Sequence, residues 1–145
     1  MQKSNLMSLL PQQDPFRLID RIVSYEPGQR LRAEMDLSRL YSDFGQQAIV
    51  PLHVLVESLA QTAVIYVQLE TNPLEDHEVP LLGKVEAKAI KDVAWTQSVQ
   101  LEITPVRILA KQAMLTGRVR TIPEEEIHLT AELYVAVSKG QVSHL

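Results

Sequence analysis

The hydrophobic and polar positions of this chain form several alternating runs, interrupted once by a long segment that is apolar almost throughout. Residues 18–25 and 30–38 are strand-like and are separated by the turn sequence EPGQ at 26–29. The second run has the two-residue period of a half-buried strand. Its inward face is predicted to carry Leu31, Ala33, Met35 and Leu37. The two runs therefore predict a β-hairpin.

The apolar segment has the features of a buried helix. Residues 39–50 are predicted to be a loop. Pro51 suits the first helical turn, because the N–H that proline lacks is not needed there. From Pro51 to Leu69 or Glu70 the segment is apolar around most of a helix circumference, and the breaker sequence TNP (71–73) follows. A helix that is apolar on nearly all sides is expected in the core.

Four more strand-like runs follow the helix, at 81–90, 98–108, 111–121 and 126–137. The sequence IPEEE joins the last two as a hairpin, and Pro105 predicts an edge strand or a bulge. Two strands, one helix and four strands indicate an α+β fold in which an antiparallel sheet of about six strands covers the helix. Because no linker or repeat is visible, we expect one domain over residues 1–145. One helix cannot cover both faces of a long sheet, so dimerisation through sheet edges or faces is also expected.

The composition of the chain argues against several classes of binding partner. The net charge is −4 and the lysines and arginines are scattered, so nucleic acid is not expected as a partner. The acidic clusters at 74–78 and 123–127 are predicted to be solvated loops. The apolar runs look too interrupted to span a bilayer, and the N-terminus lacks a convincing signal-peptide pattern. We therefore expect a cytoplasmic protein without a membrane partner. The absence of cysteine excludes disulfides and thiolate ligands.

Three polar residues interrupt the apolar helix at four-residue spacing: His53, Glu57 and Gln61. At 100° per residue their side chains lie along one stripe of the helix. A histidine and a carboxylate one turn apart are groups that move protons in general acid–base catalysis. The alternative is an ordinary exposed pair at the start of a helix, with Gln61 in a structural hydrogen bond. Periodicity alone leaves both interpretations open.

Other chemistry lacks support in the sequence. His77, His128 and His144 have no metal-ligand spacing, so no metal site is predicted. No GxSxG, GxGxxG or P-loop sequence is present, so neither a serine nucleophile nor a nucleotide cofactor is expected. Trp95 is interpreted as a packing residue, with a substrate-lining role as the alternative.

Two longer segments have a specific likeness. LLPQQDPFRLIDRIVSYEPGQ (9–29) resembles the opening of the FabZ-type 3-hydroxyacyl-acyl carrier protein dehydratases, and SDFGQQAIVPLHVLVESLAQ (42–61) is similar to their catalytic loop and central helix. The segment from Leu82 to Val137 resembles the sheet of that family. The resemblance implies a hotdog fold, in which an antiparallel sheet wraps a long helix, and at least a dimer. Asp20 and Arg21 match the family's Asp-Arg pair, which implies a structural ion pair or a dimer contact.

The resemblance also implies a reaction. The family eliminates water from a 3-hydroxyacyl thioester held on the phosphopantetheine of acyl carrier protein, without a metal or a dissociable cofactor. A histidine in the loop before the helix removes the α-proton, and a carboxylate on the partner subunit's helix assists departure of the hydroxyl. A backbone N–H near the helix start polarises the thioester carbonyl.

This chain departs from the family at the loop. Glu57 matches the helix carboxylate, but Asp43 stands at the position of the histidine, with Phe44 retained beside it. Leu52 stands where the family has a glycine that lets the substrate approach the backbone. An exposed aspartate is a poor base for a weakly acidic α-proton. His53, directly after Leu52, is the alternative base. The resemblance implies substrate-binding positions at Leu52, Phe44 and Gln61.

Three hypotheses follow. The first is a FabZ-like dehydratase of fatty-acid, polyene or polyketide assembly whose site uses Glu57 and His53. The second is a non-catalytic or half-catalytic subunit that completes its site with another hotdog chain. The third is a hotdog thioesterase or acyl-binding module, because thioester hydrolysis needs a carboxylate and a polarised carbonyl but no α-proton base. Whether the chain is catalytically active stays open at this point.

Overall fold

A computed structural model describes residues 6–9, 17–44 and 48–139 of the chain. Each of six strands pairs antiparallel with its neighbours in one sheet, in the order β1-β2-β4-β5-β6-β3. The strands are β1 (Arg21–Glu26), β2 (Arg30–Asp36), β3 (Glu78–Ala89), β4 (Ser98–Leu109), β5 (Gln112–Ile122) and β6 (Ile127–Lys139). One long helix (Leu52–Glu70), called the central helix below, packs on the inner face of this sheet. The predicted α+β hotdog architecture is confirmed.

The central helix begins and ends where the sequence predicts. Its residues from Val54 to Gln68 are buried, apart from Val56 and Glu57. Two buried hydroxyls on the helix, those of Ser58 and Thr62, donate to carbonyls one turn earlier, so neither is left unsatisfied. By length and composition this helix is apolar enough to cross a membrane, contrary to the expectation from the interrupted runs. However, 72% of the apolar window is buried inside the fold, as is usual for the core helix of a globular domain.

The helix lies close to the sheet at Gly117 on β5. A Cβ atom at Gly117 would lie 3.0 Å from Leu133 Cδ1 and 3.1 Å from both terminal methyls of Leu59. Side chains from β2, β4, β5 and β6 fill the rest of this inner face. The fully buried ones include Leu31, Met35, Leu101, Ile103, Leu115 and Leu129. The alternating pattern of β2 and β4 in the sequence predicted this face correctly.

The far end of the central helix is fixed to the β1–β2 hairpin by Glu70. Its Oε1 accepts hydrogen bonds from the Tyr66 hydroxyl at 2.6 Å and from the Gly28 amide at 2.5 Å, and its Oε2 accepts from the Tyr25 hydroxyl at 3.0 Å. Gly28 has φ of 72°, which suits glycine at the turn. Burial and the adjacent Glu70 carboxylate raise the pKa of Tyr25 to about 12 and also raise that of Tyr66. These contacts fix the C-terminal end of the helix to the hairpin.

Several predicted boundaries shift in the structure. The first strand begins at Arg21 rather than at 18, because the Leu18 amide donates to a side chain of the central helix. The second strand ends at Asp36, whose carboxylate caps a 3-10 helix (Leu37–Leu40) that extends the predicted loop backwards. A short helix (Tyr41–Phe44) also lies within that loop. The strand β3 begins at Glu78, inside the acidic cluster that was predicted to be a loop.

Other local predictions are confirmed. The register between β4 and β5 shifts between Pro105 and Arg107, which is the bulge that Pro105 predicted. The second acidic cluster forms the exposed turn between β5 and β6. Asp20 and Arg21 both form ion pairs, but not with each other: Asp20 pairs with Arg39, and Arg21 pairs with Glu34.

Candidate functional site

The first turn of the central helix is open to solvent. Pro51 is the N-cap in an extended conformation, and the Val54 amide donates to its carbonyl oxygen at 3.1 Å. Leu52 and His53 in this turn are both exposed, Leu52 by 46%. The strong burial of the helix therefore starts only at Val54. A histidine at this place is accessible to a substrate, and needs no partner to compensate burial.

Glu57 lies one turn later, and Gln61 holds its carboxylate. The Gln61 Nε2 donates to Glu57 Oε1 at 3.3 Å, and the Gln61 Oε1 accepts from the Leu18 amide at 2.9 Å. Gln61 is only 1% exposed, whereas Glu57 is exposed. The buried amide thus joins the helix to the segment before β1 and orients one carboxylate oxygen. Substrate binding by Gln61 stays a prediction. Its hydrogen bonds to Leu18 and Glu57 are contacts within the protein.

His53 and Glu57 lie on the same stripe, as their spacing predicts, but they are not bonded to each other. Within the described part of the chain, no hydrogen bond or ion pair joins the imidazole to the carboxylate. Both groups are exposed on one helix face and are separated by one turn. The arrangement places an imidazole and a carboxylate on one surface without an ion pair between them.

The short helix that precedes this site carries Asp43 and Phe44. Their side chains lie outside what the structure describes, so their predicted catalytic and substrate-binding roles remain predictions. The segment that leads into the central helix is held by a hydrogen bond from the Val50 amide to the Val93 carbonyl at 2.8 Å and by a β-bridge between Ile49 and Ala94.

Apolar side chains surround the helix start. Trp95 is buried and meets the ring of Tyr41 edge-on, with centroids 6.3 Å apart, so the prediction of a packing role is confirmed. Tyr41, Ile49 and Leu52 are large apolar residues that remain exposed. The helix start therefore combines exposed apolar side chains with the exposed His53 and Glu57.

Metal chemistry has no support in the described residues, where no group of three or more histidine, cysteine, aspartate or glutamate side chains could hold an ion. His77 is exposed beside Glu75, at 3.4 Å. His128 is buried and hydrogen-bonds the Asp92 carbonyl through Nδ1 at 2.9 Å. The remaining candidate, His144, lies outside the described part of the chain.

One charged cluster was not found from the sequence. Glu102 on β4 is buried, with a side chain 4% exposed, and lies within 4.0 Å of Arg30, Arg32, Arg118 and Arg120. Burial opposes its ionisation, but hydrogen bonds from Arg120 and Arg32 together hold the pKa of the Glu102 carboxyl below its usual range. These basic residues are scattered along the sequence but lie close together in the fold. The cluster could be found only from the pairing register of the strands, which places positions 32, 102 and 118 side by side.

A central helix wrapped by a six-stranded antiparallel sheet defines the hotdog class of proteins. No protein-family profile matches the chain. Among solved structures, it is similar to the dehydratase heterocomplex ApeI:P from Xenorhabdus doucetiae, with a TM-score of 0.77, 13% identity and coverage of 95% of this chain and 92% of that one. It is also similar to a thioesterase from Haemophilus influenzae, with a TM-score of 0.74, 16% identity and coverage of 100% and 96%. At these identities the likeness concerns the fold.

Sequence relatives identify the family. The chain is 30% identical to the 3-hydroxyacyl-[acyl-carrier-protein] dehydratase FabZ of Chloroflexus aggregans over 140 residues, which cover 92% of this chain and 93% of that protein. It is 31% identical over 94 residues to coronafacic acid dehydratase of Pseudomonas savastanoi pv. glycinea, covering 62% of this chain and 57% of that protein. The chain belongs to the FabZ family of 3-hydroxyacyl-[acyl-carrier-protein] dehydratases.

Proposed function

We propose that this protein eliminates water from 3-hydroxyacyl thioesters carried by acyl carrier protein in fatty-acid, polyene or polyketide assembly, and that it works in the cytoplasm. The observation that carries the proposal is the geometry of the helix start. Glu57 is exposed and oriented by the buried Gln61, and His53 is exposed one turn earlier on the same stripe. The names of the FabZ relatives supply the substrate class.

The reaction divides between these two side chains. The imidazole of His53 acts as the general base that accepts the proton from Cα of the substrate, and the electron pair of that C–H bond forms the Cα=Cβ double bond. The Cβ–O bond breaks, and Glu57 acts as the general acid that gives the leaving hydroxyl a proton, so that it departs as water. Solvent then carries the proton from His53 back to Glu57. Backbone N–H groups at the helix start would polarise the thioester carbonyl near Leu52.

The proposal includes a second hotdog chain bound at β3. This strand is at the edge of the sheet, and its residues Val79, Leu81 and Leu82 are exposed although they are large and apolar. An exposed apolar edge strand is a surface for pairing with another chain. The added chain is either a second copy or a different hotdog subunit.

Variants separate the two catalytic roles. Dehydration of a 3-hydroxyacyl group on acyl carrier protein would be followed by intact-mass spectrometry with wild type, His53→Ala and Glu57→Gln. Loss of one general acid or base typically lowers kcat by about 10² to 10⁴, so each variant should be at least a hundredfold slower. His77→Ala is the matched control, because it removes an exposed histidine that lies far along the chain from the helix start. A wild-type rate in His53→Ala would remove His53 from the mechanism.

A half-catalytic subunit is the second candidate. Two observations favour it: Asp43 stands where the family has its loop histidine, and β3 is an edge strand with exposed apolar side chains. In that case the protein alone would be inactive, and adding a hotdog subunit with a loop histidine would restore dehydration. That activity should then depend on Glu57 but not on His53.

The likeness to thioesterases supports a third outcome of the same assay. Hydrolysis would release a free acid and leave the carrier with a bare thiol. Dehydration instead leaves the acyl chain on the carrier with one water less. The mass of the carrier distinguishes the two reactions directly.

A further inference from the structure

His128, near the start of β6, contacts the loop that joins β3 to β4 through both its backbone and its side chain. We call this loop, residues 90–97, the β3–β4 loop. The His128 carbonyl oxygen accepts from the Ile90 amide at 2.8 Å and from the Lys91 amide at 3.2 Å. Its imidazole Nδ1 lies 2.9 Å from the Asp92 carbonyl oxygen. One residue of β6 therefore holds three consecutive residues of the β3–β4 loop.

The imidazole of His128 is buried, and its bond to Asp92 fixes which ring nitrogen carries the proton. A carbonyl oxygen can only accept, so Nδ1 is the donor in both the neutral and the charged imidazole. On the other side of the ring, Nε2 lies 3.4 Å from the Thr121 hydroxyl oxygen and 3.9 Å from a carboxylate oxygen of Glu126. The bond to Asp92 is therefore kept whether or not the ring is charged.

The β3–β4 loop in turn holds the segment that leads into the candidate site. Val93, which follows Asp92, accepts a hydrogen bond from the Val50 amide at 2.8 Å. Val50 and Val93 are both buried, so this bond is shielded from solvent. Pro51, the N-cap of the central helix, comes directly after Val50, and His53 lies two residues later. A shift of the β3–β4 loop is therefore passed through one backbone hydrogen bond to the first turn of the central helix.

We propose that His128 is a positioning residue for the candidate site. Its bond to the Asp92 carbonyl keeps the β3–β4 loop where Val93 accepts from Val50, and this second bond locates the first turn of the central helix. The inference rests on the proposed function for the catalytic role of His53 in that turn. His128 itself is buried and acts through the loop instead of on the substrate. A displacement of a reacting group by about 1 Å can lower a rate about a hundredfold, so a small movement of the turn is sufficient.

Two amide substitutions of His128 separate its bond to Asp92 from its general contribution to stability. In His128→Asn, the side-chain nitrogen takes the place of Nδ1 and can donate to the Asp92 carbonyl. In His128→Gln, the amide takes the place of Nε2 and reaches Thr121 instead. Both variants replace the buried ring by a smaller polar group, so their Tm should fall by similar amounts. Thr121→Val is the matched control, because it removes the hydroxyl beside Nε2 and leaves the bond from Nδ1 in place.

Exchange of the Val50 amide with solvent, followed by NMR, measures the proposed coupling without any substrate. In His128→Gln this amide should exchange about five to ten times faster than in wild type, the effect of weakening about one hydrogen bond. His128→Asn and Thr121→Val should exchange as wild type does. The Thr71 amide, bonded at the other end of the central helix, should be unaffected in every variant. Trp95, the only tryptophan, lies in the β3–β4 loop, so its fluorescence should change in His128→Gln.

Dehydration rates then connect the loop to catalysis. We expect kcat of His128→Gln to fall about tenfold with a smaller change in KM, because the reacting group is displaced while the substrate still binds. His128→Asn should restore most of the wild-type kcat. Equal kcat in the two amide variants, or Val50 exchange in His128→Gln that matches wild type, would overturn the positioning role. If wild type does not dehydrate the substrate but Val50 exchange changes as expected, the proposed function fails and the coupling of His128 to the helix start stands.

Discussion

Replacing Gly117 by alanine tests whether the central helix is seated on the sheet as closely as the structure shows. The added Cβ would lie 3.0 to 3.1 Å from methyl carbons of Leu133 and Leu59. Favourable contacts between carbon atoms are about 3.5 to 4.0 Å, so the neighbours must move by about 0.5 Å. Both leucines are fully buried, and protein cores are packed densely enough that such a movement disturbs their neighbours.

The size of the effect follows from two opposing contributions. Overpacking a core by one methyl group costs about 1–3 kcal/mol. Replacing glycine by alanine in a strand returns about 0.5–1 kcal/mol, because glycine loses more conformational entropy on folding. We expect Gly117→Ala to lower the free energy of unfolding by about 1–2 kcal/mol. For a chain of this size that corresponds to a fall in Tm of about 2–8 °C.

Thermal unfolding at a fixed protein concentration measures this change, with Gly83→Ala as the control. At Gly83 an added Cβ meets only the Tyr134 carbonyl oxygen at 3.7 Å, an ordinary contact, so that variant should be as stable as wild type or slightly more stable. Leu59→Ala should cost less in the Gly117→Ala background than alone, by about 0.5 kcal/mol or more. Equal stability of Gly117→Ala and Gly83→Ala would refute the close approach of helix and sheet.

Three further predictions concern polar contacts. Because the folded-state pKa of Glu102 is lowered, its ionised form stabilises the fold at neutral pH, and this contribution is lost as pH falls. Glu102→Gln should therefore lower the free energy of unfolding by about 1–2 kcal/mol at pH 7, measured by urea unfolding. The difference from wild type should shrink below a pH of about 4. Glu70→Gln should lower the pKa of Tyr25 from about 12, seen as phenolate absorbance, although burial keeps it above the ordinary value. Because the pKa of Tyr25 is raised in the folded state, its neutral hydroxyl stabilises the fold of wild type, and this contribution is lost as pH rises from about 10 towards 12. Gln61→Met leaves the buried Leu18 amide without its acceptor, which should lower the free energy of unfolding by about 1–3 kcal/mol in thermal unfolding. The same variant removes the hydrogen bond to Glu57 and should change kcat. An unchanged kcat would exclude a positioning role for Gln61.

The central helix could be predicted in detail because its signals are local. Pro51 marks its start, the TNP sequence marks its end, and its apolar circumference predicts burial. The strand β3 was predicted three residues short for the opposite reason. Glu78–Pro80 has the composition of an acidic loop, yet it pairs with residues 137–139 of β6, a contact that no local pattern reports. Tertiary pairing outweighed local propensity there.

The candidate site, too, could be predicted only where the sequence signal is local. The stripe of His53 and Glu57 follows from helix geometry, but spacing did not reveal that the pair lacks a hydrogen bond or that Gln61 is buried behind Glu57. The arginines around Glu102 could be found only from the register of three strands, since Arg30 and Arg120 are 90 positions apart along the chain. Charges that are scattered in sequence say little about surface charge until the pairing of strands is known.

The most direct test of the central claim is the intact mass of acyl carrier protein loaded with a 3-hydroxyacyl chain and incubated with this protein alone, over several chain lengths. The account predicts that the carrier loses the mass of one water and keeps its acyl group, with wild type and with the His77→Ala control. A carrier that keeps the hydroxyacyl mass at every chain length, or that is released as the free thiol, would contradict a dehydratase site formed by His53 and Glu57.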